Sequence, residues 1–181
     1  MSAPEVAQPA VFLDRDGTIM EDVAYCSDPA KVRIFDDAPH ALRRLRAAGY
    51  KIVVITNQSG IGRGYFKEAD YHAVAAEVER QIGAGLIDAT YFCPDAPDAA
   101  SDRRKPAPGM VFEAQRDHRL DLSRCYFVGD KRIDAECGRN AGVRTILVES
   151  GCEEHADEDH GADWKAPNLS AAADIILRNA V

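Results

Sequence analysis

Asp14 and Asp16 stand one residue apart in FLDRDGTI (12–19), where a short apolar run ends. Two carboxylates that close repel each other unless something uses them. Three readings account for the pair: an acidic surface turn, two metal ligands, or a nucleophile beside its acid/base partner. Three other apolar runs also end in polar residues. Thr56 and Asn57 follow KIVVI, Cys93 leads toward Arg104 and Lys105, and VGDKRID (128–134) holds Asp130, Lys131 and Asp134. Singly, such residues are ordinary turn formers. At one edge of one sheet they make a converging site of carboxylates, a hydroxyl and a lysine.

The chemistry open to that set is phosphoryl chemistry. Asp14, Asp16 and Asp130 together call for a hard cation, and a few oxygen ligands with positions left for water and phosphate suit Mg²⁺. Lys105 would neutralise phosphate oxygens beside it, while Thr56 and the backbone N–H groups of 57–60 would hydrogen-bond the phosphoryl group. One carboxylate in line with phosphorus can attack it, and the other can protonate the leaving alcohol and later deprotonate water. Asp14, against the cation and Lys105, is expected to stay ionised as nucleophile; Asp16 is the better proton carrier. No GxxxxGKS/T string is present, and GIGRG (60–64) lacks the third-glycine spacing of a dinucleotide fingerprint, so a nucleotide cradle is not indicated.

These residues need strands that end together. Continuous apolar runs at 10–14, 51–56, 88–93, 125–130 and 144–149 predict strands covered on both faces. Helical periodicity appears at 38–48 (capped by Asp36 or Asp37 and stopped by Gly49), 67–84, 108–118, 131–141 and 170–179. The alternation predicts an α/β fold: a three-layer, Rossmann-like open parallel sheet with helices on both faces. Long connections at 15–35, 57–66 and 94–107 leave the carboxyl ends of strands, where ligands bind in such sheets. Arg63, between glycines, is placed to reach an anionic or hydroxylated substrate. SGCEEHADEDHGAD (150–163), with His155 and His160, reads as a solvated acidic loop, and His40, His72 and His118 as surface histidines.

A length of 181 residues predicts one domain spanning 1–181. With 30 acidic against 22 basic residues, the net charge of -8 disfavours nucleic acid or an acidic membrane and leaves room for one basic pocket. No apolar stretch reaches the roughly 20 residues of a membrane span, and MSAPEVAQPA is unlike a signal peptide, so a cytoplasmic monomer is expected. The five cysteines, at 26, 93, 125, 137 and 152, form no CxxC pair and are expected as reduced thiols. Trp164 and the tail are expected to pack a final helix.

DRDGT (14–18), a strand ending in Thr56, Lys105 before a proline-rich turn, and VGDKRID resemble the four motifs of haloacid dehalogenase (HAD) superfamily phosphatases. FLDRDGTI, VITNQSGIGRGYF (54–66), RKPAPGM (104–110) and VGDKRID resemble, more narrowly, the histidinol-phosphate and heptose-bisphosphate phosphatase branch. The resemblance spans 12 to about 149. It implies Asp14 as nucleophile, Asp16 as general acid/base with its backbone carbonyl on Mg²⁺, Asp130 as the third metal ligand, and Asp134 in support. It implies Thr56 on the phosphoryl group, Lys105 bridging nucleophile and phosphate, and Asn57, Gln58, Ser59, Arg63, Arg104 and Lys131 near a small phosphorylated metabolite. A minimal cap is implied, with loops acting as the lid, and a place in heptose metabolism that supplies lipopolysaccharide precursors.

Arg63, Arg104 and Lys131, joined by Arg103, bias the rim toward anions, hence toward a heptose bisphosphate over histidinol phosphate. A non-enzymatic phosphosugar-binding protein is opposed by the presence of every carboxylate. One departure stands out. The branch carries a structural Zn²⁺ on a CxH pair and a CxC pair before RKP, whereas this chain reads CPDAPDAASDRRKP (93–106). Cys93 faces Asp95, Ser101 and Arg103 at the other positions, which is no zinc donor set. The 94–107 loop is therefore expected to be held by its prolines and by ion pairs between Asp95, Asp98 or Asp102 and Arg103.

Overall fold

The computed structural model describes residues 7–150 and 161–180. Six strands, β1 (Ala10–Leu13), β2 (Lys51–Asn57), β3 (Ala89–Cys93), β4 (Tyr126–Gly129), β5 (Arg144–Val148) and β6 (Trp164–Ala166), form one sheet in the order β3-β2-β1-β4-β5-β6. Every pairing is parallel. Parallel neighbours need crossovers, which α1 (Ala38–Ala47), α3 (Glu68–Ile82), α4 (Gly109–His118) and α5 (Arg132–Ala141) supply, with a one-turn α2 (Ser59–Gly62) after β2 and α6 (Leu169–Arg178) at the end.

The unbroken apolar runs are explained by two separate cores. Val11, Leu13, Ile52, Val54 and Val128 point to one face, with α1, α3 and α6 residues such as Leu42, Val74 and Ile176. Ala10, Phe12, Val53, Ile55 and Phe127 point to the other, beneath Met110, Val111 and Cys137 of α4 and α5. Alternation along a strand is invisible when both faces are buried.

The chain runs outward in opposite directions from the central β1/β4 pair, a topological switch point that opens a crevice at the carboxyl ends. Leu13 pairs with Val128, and the Asp14 N–H donates to the Val128 carbonyl at 3.0 Å. That register delivers Asp14 and Asp130 side by side. Over the same edge, residues 15–35 fold into a flap closed by Gly17 N–H to Met20 O (2.7 Å), Glu21 N–H to Arg33 O (2.9 Å) and Phe35 N–H to Ile19 O (3.1 Å).

Three local expectations differ. Trp164–Ala166 is a strand, β6, where only a helix was expected in the tail. Three residues containing a lysine are too few to show strand patterning. The strand is registered by Asp163, whose carboxylate accepts from both the backbone N–H (2.7 Å) and the hydroxyl (3.1 Å) of Thr145. Asp37 precedes α1 without capping it; its Oδ2 accepts instead from Ser170 N–H of α6 at 2.8 Å. Asn168 caps α6, accepting from Ala171 N–H at 2.9 Å, so the helix begins at Leu169 rather than at 170. Residues 151–160 of the acidic segment, His155 and His160 included, lie outside the described residues.

Candidate active site

Lys105 is 3% exposed and its ammonium is fully engaged. Nζ donates to Asp14 Oδ1 (2.7 Å), Asp134 Oδ1 (2.7 Å) and the Ile55 carbonyl (3.0 Å). Asn57, the last residue of β2, sets its position by a reciprocal pair: Lys105 N–H donates to Asn57 Oδ1 (3.0 Å) and Asn57 Nδ2 to Lys105 O (3.1 Å). Burial alone would lower the lysine pKa, but the carboxylates of Asp134 and Asp14 outweigh it and hold it above its ordinary value.

Asp134 spends both oxygens within the protein, Oδ1 on Lys105 and Oδ2 on the Lys131 N–H (3.0 Å) at the start of α5. Burial nevertheless pushes its pKa up to about 6. Asp130 differs. It is 4% exposed, and neither Oδ1 nor Oδ2 has a hydrogen-bond partner. Burial first, then the neighbouring Asp14 and Asp134, pushes its pKa up to about 8. One carboxylate oxygen each from Asp14, Asp130 and Asp134 lies within 4.8 Å of the others. Gly17 makes the approach possible: at φ +85°, it passes so close that a Cβ would overlap the Asp130 carboxylate.

A buried anion without a partner is costly. All-oxygen donors, crowded and partly unpaired, fit a divalent hard cation such as Mg²⁺. Asp134, already consumed by Lys105 and Lys131, is a supporting group by that bookkeeping, and Asp130 is the carboxylate with capacity left.

Asp16 is held apart from this cluster. Arg15 Nε and Nη2 grip its two oxygens at 3.1 Å each, and Gln58 Nε2 donates to Oδ2 at 3.2 Å. Burial raises its pKa against the pull of Arg15. Gln58 Nε2 also reaches Thr56 Oγ1 at 2.9 Å, so one amide ties β2 to the β1 turn. The two acids of the DRD string thus sit in different environments, Asp14 beside an ammonium and Asp16 at the edge of a cavity. Such a pair suits separate nucleophile and acid/base roles.

The cavity measures about 330 Å³ and is lined by Asp14, Asp16, Asn57, Gln58, Ser59, Lys105 and Lys131 among the expected residues. Thr56 is buried at 1% exposure and is not part of its lining. Arg63 is exposed and lines a separate depression with Tyr65 and Asp98. Arg104 donates to the Asp95 carbonyl at 3.2 Å. The positive rim of the central cavity therefore comes from Lys131, which the flap residue Asp22 partly neutralises at 2.8 Å.

Sequence reasoning passed over Arg15, Asp22 and Tyr25, all in the lining. Arg15 carried a signal, a cation between two carboxylates. Asp22 and Tyr25 carried none, because nothing in the order of residues says where a flap folds back.

The 94–107 loop departs from the expected ion pairs. Arg103 reaches Glu113 of α4 (Nε to Oε1, 2.7 Å) instead of Asp95, Asp98 or Asp102, because the helix brings Glu113 over it. Asp95 accepts from the buried Cys93 thiol at 3.3 Å, and Ser101 Oγ lies 3.7 Å from the same sulfur. Burial raises the Cys93 pKa, which keeps it a thiol. One protonated thiol, a carboxylate and a hydroxyl do not fit zinc.

A family model for HAD-hydrolase-like proteins matches residues 102–173. The chain is 36% identical over 180 residues to D-glycero-beta-D-manno-heptose-1,7-bisphosphate 7-phosphatase of Salmonella typhi, an alignment covering 94% of this chain and 96% of that one. It belongs to the HAD superfamily, in the heptose-bisphosphate phosphatase branch. This HAD phosphatase is also 36% identical, over 179 residues, to the D-glycero-alpha-D-manno-heptose-1,7-bisphosphate 7-phosphatase of Burkholderia mallei, covering 94% of its own chain and 88% of the relative. Its fold matches a crystal structure of D,D-heptose 1,7-bisphosphate phosphatase from B. bronchiseptica complexed with magnesium and phosphate. The TM-score is 0.84 at 30% identity, covering 96% of this chain and 99% of the other.

Proposed function

We propose that this HAD phosphatase is a Mg²⁺-dependent phosphomonoesterase that removes the 7-phosphate of D-glycero-D-manno-heptose 1,7-bisphosphate through an aspartyl-phosphate on Asp14. The observation that carries the reading is the unpartnered Asp130 carboxylate beside the Asp14–Lys105 pair at the β1/β4 switch point. Mg²⁺, held by Asp14, Asp130 and the Asp16 backbone carbonyl, would neutralise phosphoryl oxygens there.

Asp14 attacks phosphorus with the carboxylate that Lys105 holds at 2.7 Å. Asp16, oriented by Arg15 and Gln58, donates its proton to the departing sugar oxygen and then takes one from the water that opens the acyl phosphate. Ser59 and Lys131 face the phosphoryl group from the cavity wall. Thr56 acts from beneath through Gln58, Asn57 acts by fixing Lys105, and Asp134 by balancing it. Arg63, in the neighbouring depression, and Arg104, on the Asp95 carbonyl, stand outside this wall and are given no part in the phosphoryl step.

The two named relatives differ in anomer at the same 36% identity. The test is therefore a steady-state panel with Mg²⁺ on both anomers of the heptose bisphosphate and on histidinol phosphate. A higher kcat/KM for one or both heptose anomers is expected. Preference for histidinol phosphate would reverse the substrate assignment, and inactivity on all three would remove the phosphatase reading of this cavity.

A further inference from the structure

Asp130 is placed by packing and not by hydrogen bonds. Neither of its carboxylate oxygens has a partner, and one wall against it is Gly17, so close that an added Cβ would overlap the carboxylate. A side chain without polar partners takes its position from the surfaces it packs on. Whatever fixes Gly17 therefore also fixes Asp130.

Glycine loses more freedom on ordering than any other residue, so the bonds of its two backbone groups carry much of its restraint. The Gly17 N–H donates to Met20 O at 2.7 Å, inside the flap. Its carbonyl accepts from Ser150 Oγ at 3.0 Å, a bond between residues 133 apart in the chain. Ser150 stands just beyond the carboxyl end of β5, which pairs with β4 through Leu147 and Gly129, and β4 pairs in turn with β1. The Ser150–Gly17 bond thus runs from the end of β5 to the turn after β1, across the end of the strand that delivers Asp130. Ser150 is half-buried and is not part of the lining of the catalytic cavity, so any effect it has on the site passes through Gly17.

We propose that Ser150 is a positioning residue for the cation site: its hydroxyl fixes the Gly17 carbonyl, and Gly17 holds the Asp130 carboxylate where Mg²⁺ meets it. The role needs a short side chain with a hydroxyl donor, which threonine supplies and alanine or valine does not. The inference rests on the reading of the Asp14–Asp130 cluster as the Mg²⁺ site.

The test is a calorimetric Mg²⁺ titration of the whole protein, beside thermal melts of the metal-free form. Loss of one hydrogen bond of ordinary strength sets the scale, so Ser150→Ala and Ser150→Val are expected to raise the Mg²⁺ Kd about three- to tenfold, and Ser150→Thr less than about twofold. The Mg²⁺ concentration for half-maximal turnover of an aryl phosphate should rise by the same factor, with excess Mg²⁺ recovering most of the lost rate. Valine and threonine match in shape, so that pair decides the matter if Ser150→Ala folds poorly. A lowered metal-free melt with wild-type Mg²⁺ affinity would make the bond a plain structural tie and overturn the proposal. An equal loss of affinity in Ser150→Thr and Ser150→Val would do the same. Asp130→Asn checks the underlying reading separately: Mg²⁺ binding that survives it would overturn the metal site itself, whatever Ser150 does.

Discussion

Gly17 and Asp130 are built around each other. The glycine takes φ +85° and passes so close to the carboxylate that no Cβ fits between them. Gly17→Ala is expected to cost about 2 kcal/mol of stability from the left-handed backbone and the overlap, and to weaken Mg²⁺ binding at least tenfold by displacing Asp130. Thermal melts and a metal titration read the two effects. Wild-type metal affinity in the variant would separate Gly17 from the acidic cluster.

Asp14 and Asp16 should fail in different ways. An amide at 14 cannot attack phosphorus, so Asp14→Asn is expected to lower kcat by about 10³-fold or more for every substrate while inorganic phosphate still binds. Asp16→Asn should lower kcat by about 10²- to 10⁴-fold for an alkyl phosphate and far less for an aryl phosphate, whose leaving oxygen needs no proton. A uniform loss across leaving groups would take Asp16 out of the proton-transfer role.

The raised pKa of Asp16 sets the sign of the pH effect on that step. The acid must be protonated to donate, so turnover of an alkyl phosphate should fall as pH rises through its folded value. The limb should vanish in Asp16→Asn. An alkaline limb of the same shape in the variant would assign it to another group.

Asp130 predicts how the metal-free protein responds to pH. Its folded pKa is raised to about 8 from an ordinary value of 3.8, so between those values the folded chain holds a proton that the unfolded chain has released. Stability of the metal-free protein should fall as pH rises across that window. Asp130→Asn should melt higher than wild type at pH 8 without metal, by about 1–3 kcal/mol, and gain nothing from Mg²⁺. Strong Mg²⁺ stabilisation of the variant would place the cation elsewhere.

The Cys93 thiol donates to Asp95 at 3.3 Å and lies 3.7 Å from Ser101 Oγ, contacts that tie the start of the 94–107 loop without a metal donor set. The purified protein is expected to contain no stoichiometric zinc by elemental analysis. Chelation should stop turnover, and Mg²⁺ alone should restore it. One tightly held zinc per chain would overturn this account of the loop.

Much of the site was legible because its chemistry lies in short strings at strand ends. Asp14 and Asp130 could be picked out because a carboxylate ending an apolar run is costly without a purpose, Lys105 and Asp134 because they stand in the RKP and VGDKRID strings, and the structure brings all four together. Arg63 and Arg104 were read toward the substrate from their charge. Their positions, in a neighbouring depression and against the Asp95 carbonyl, follow from how two loops pack, with Gly62 set against the Pro94 and Ala96 backbone. β6 escaped notice because its register is held by one remote contact, Asp163 with Thr145.

By itself the sequence determined the order of the first five strands and of the five longer helices, the two-sided burial of the sheet and the residue types at the carboxyl edge, since all three are written in local periodicity and in the cost of charge next to apolar runs. Only the tertiary structure decided which partner each charge took. Lys105 lies 91 residues from Asp14 and 29 from Asp134, Lys131 lies 109 from Asp22, and Arg103 turned to Glu113 rather than to a nearer aspartate. Such choices depend on distances set by crossovers and loop packing. A pairing energy that falls off with separation and burial cannot be ranked until those distances exist.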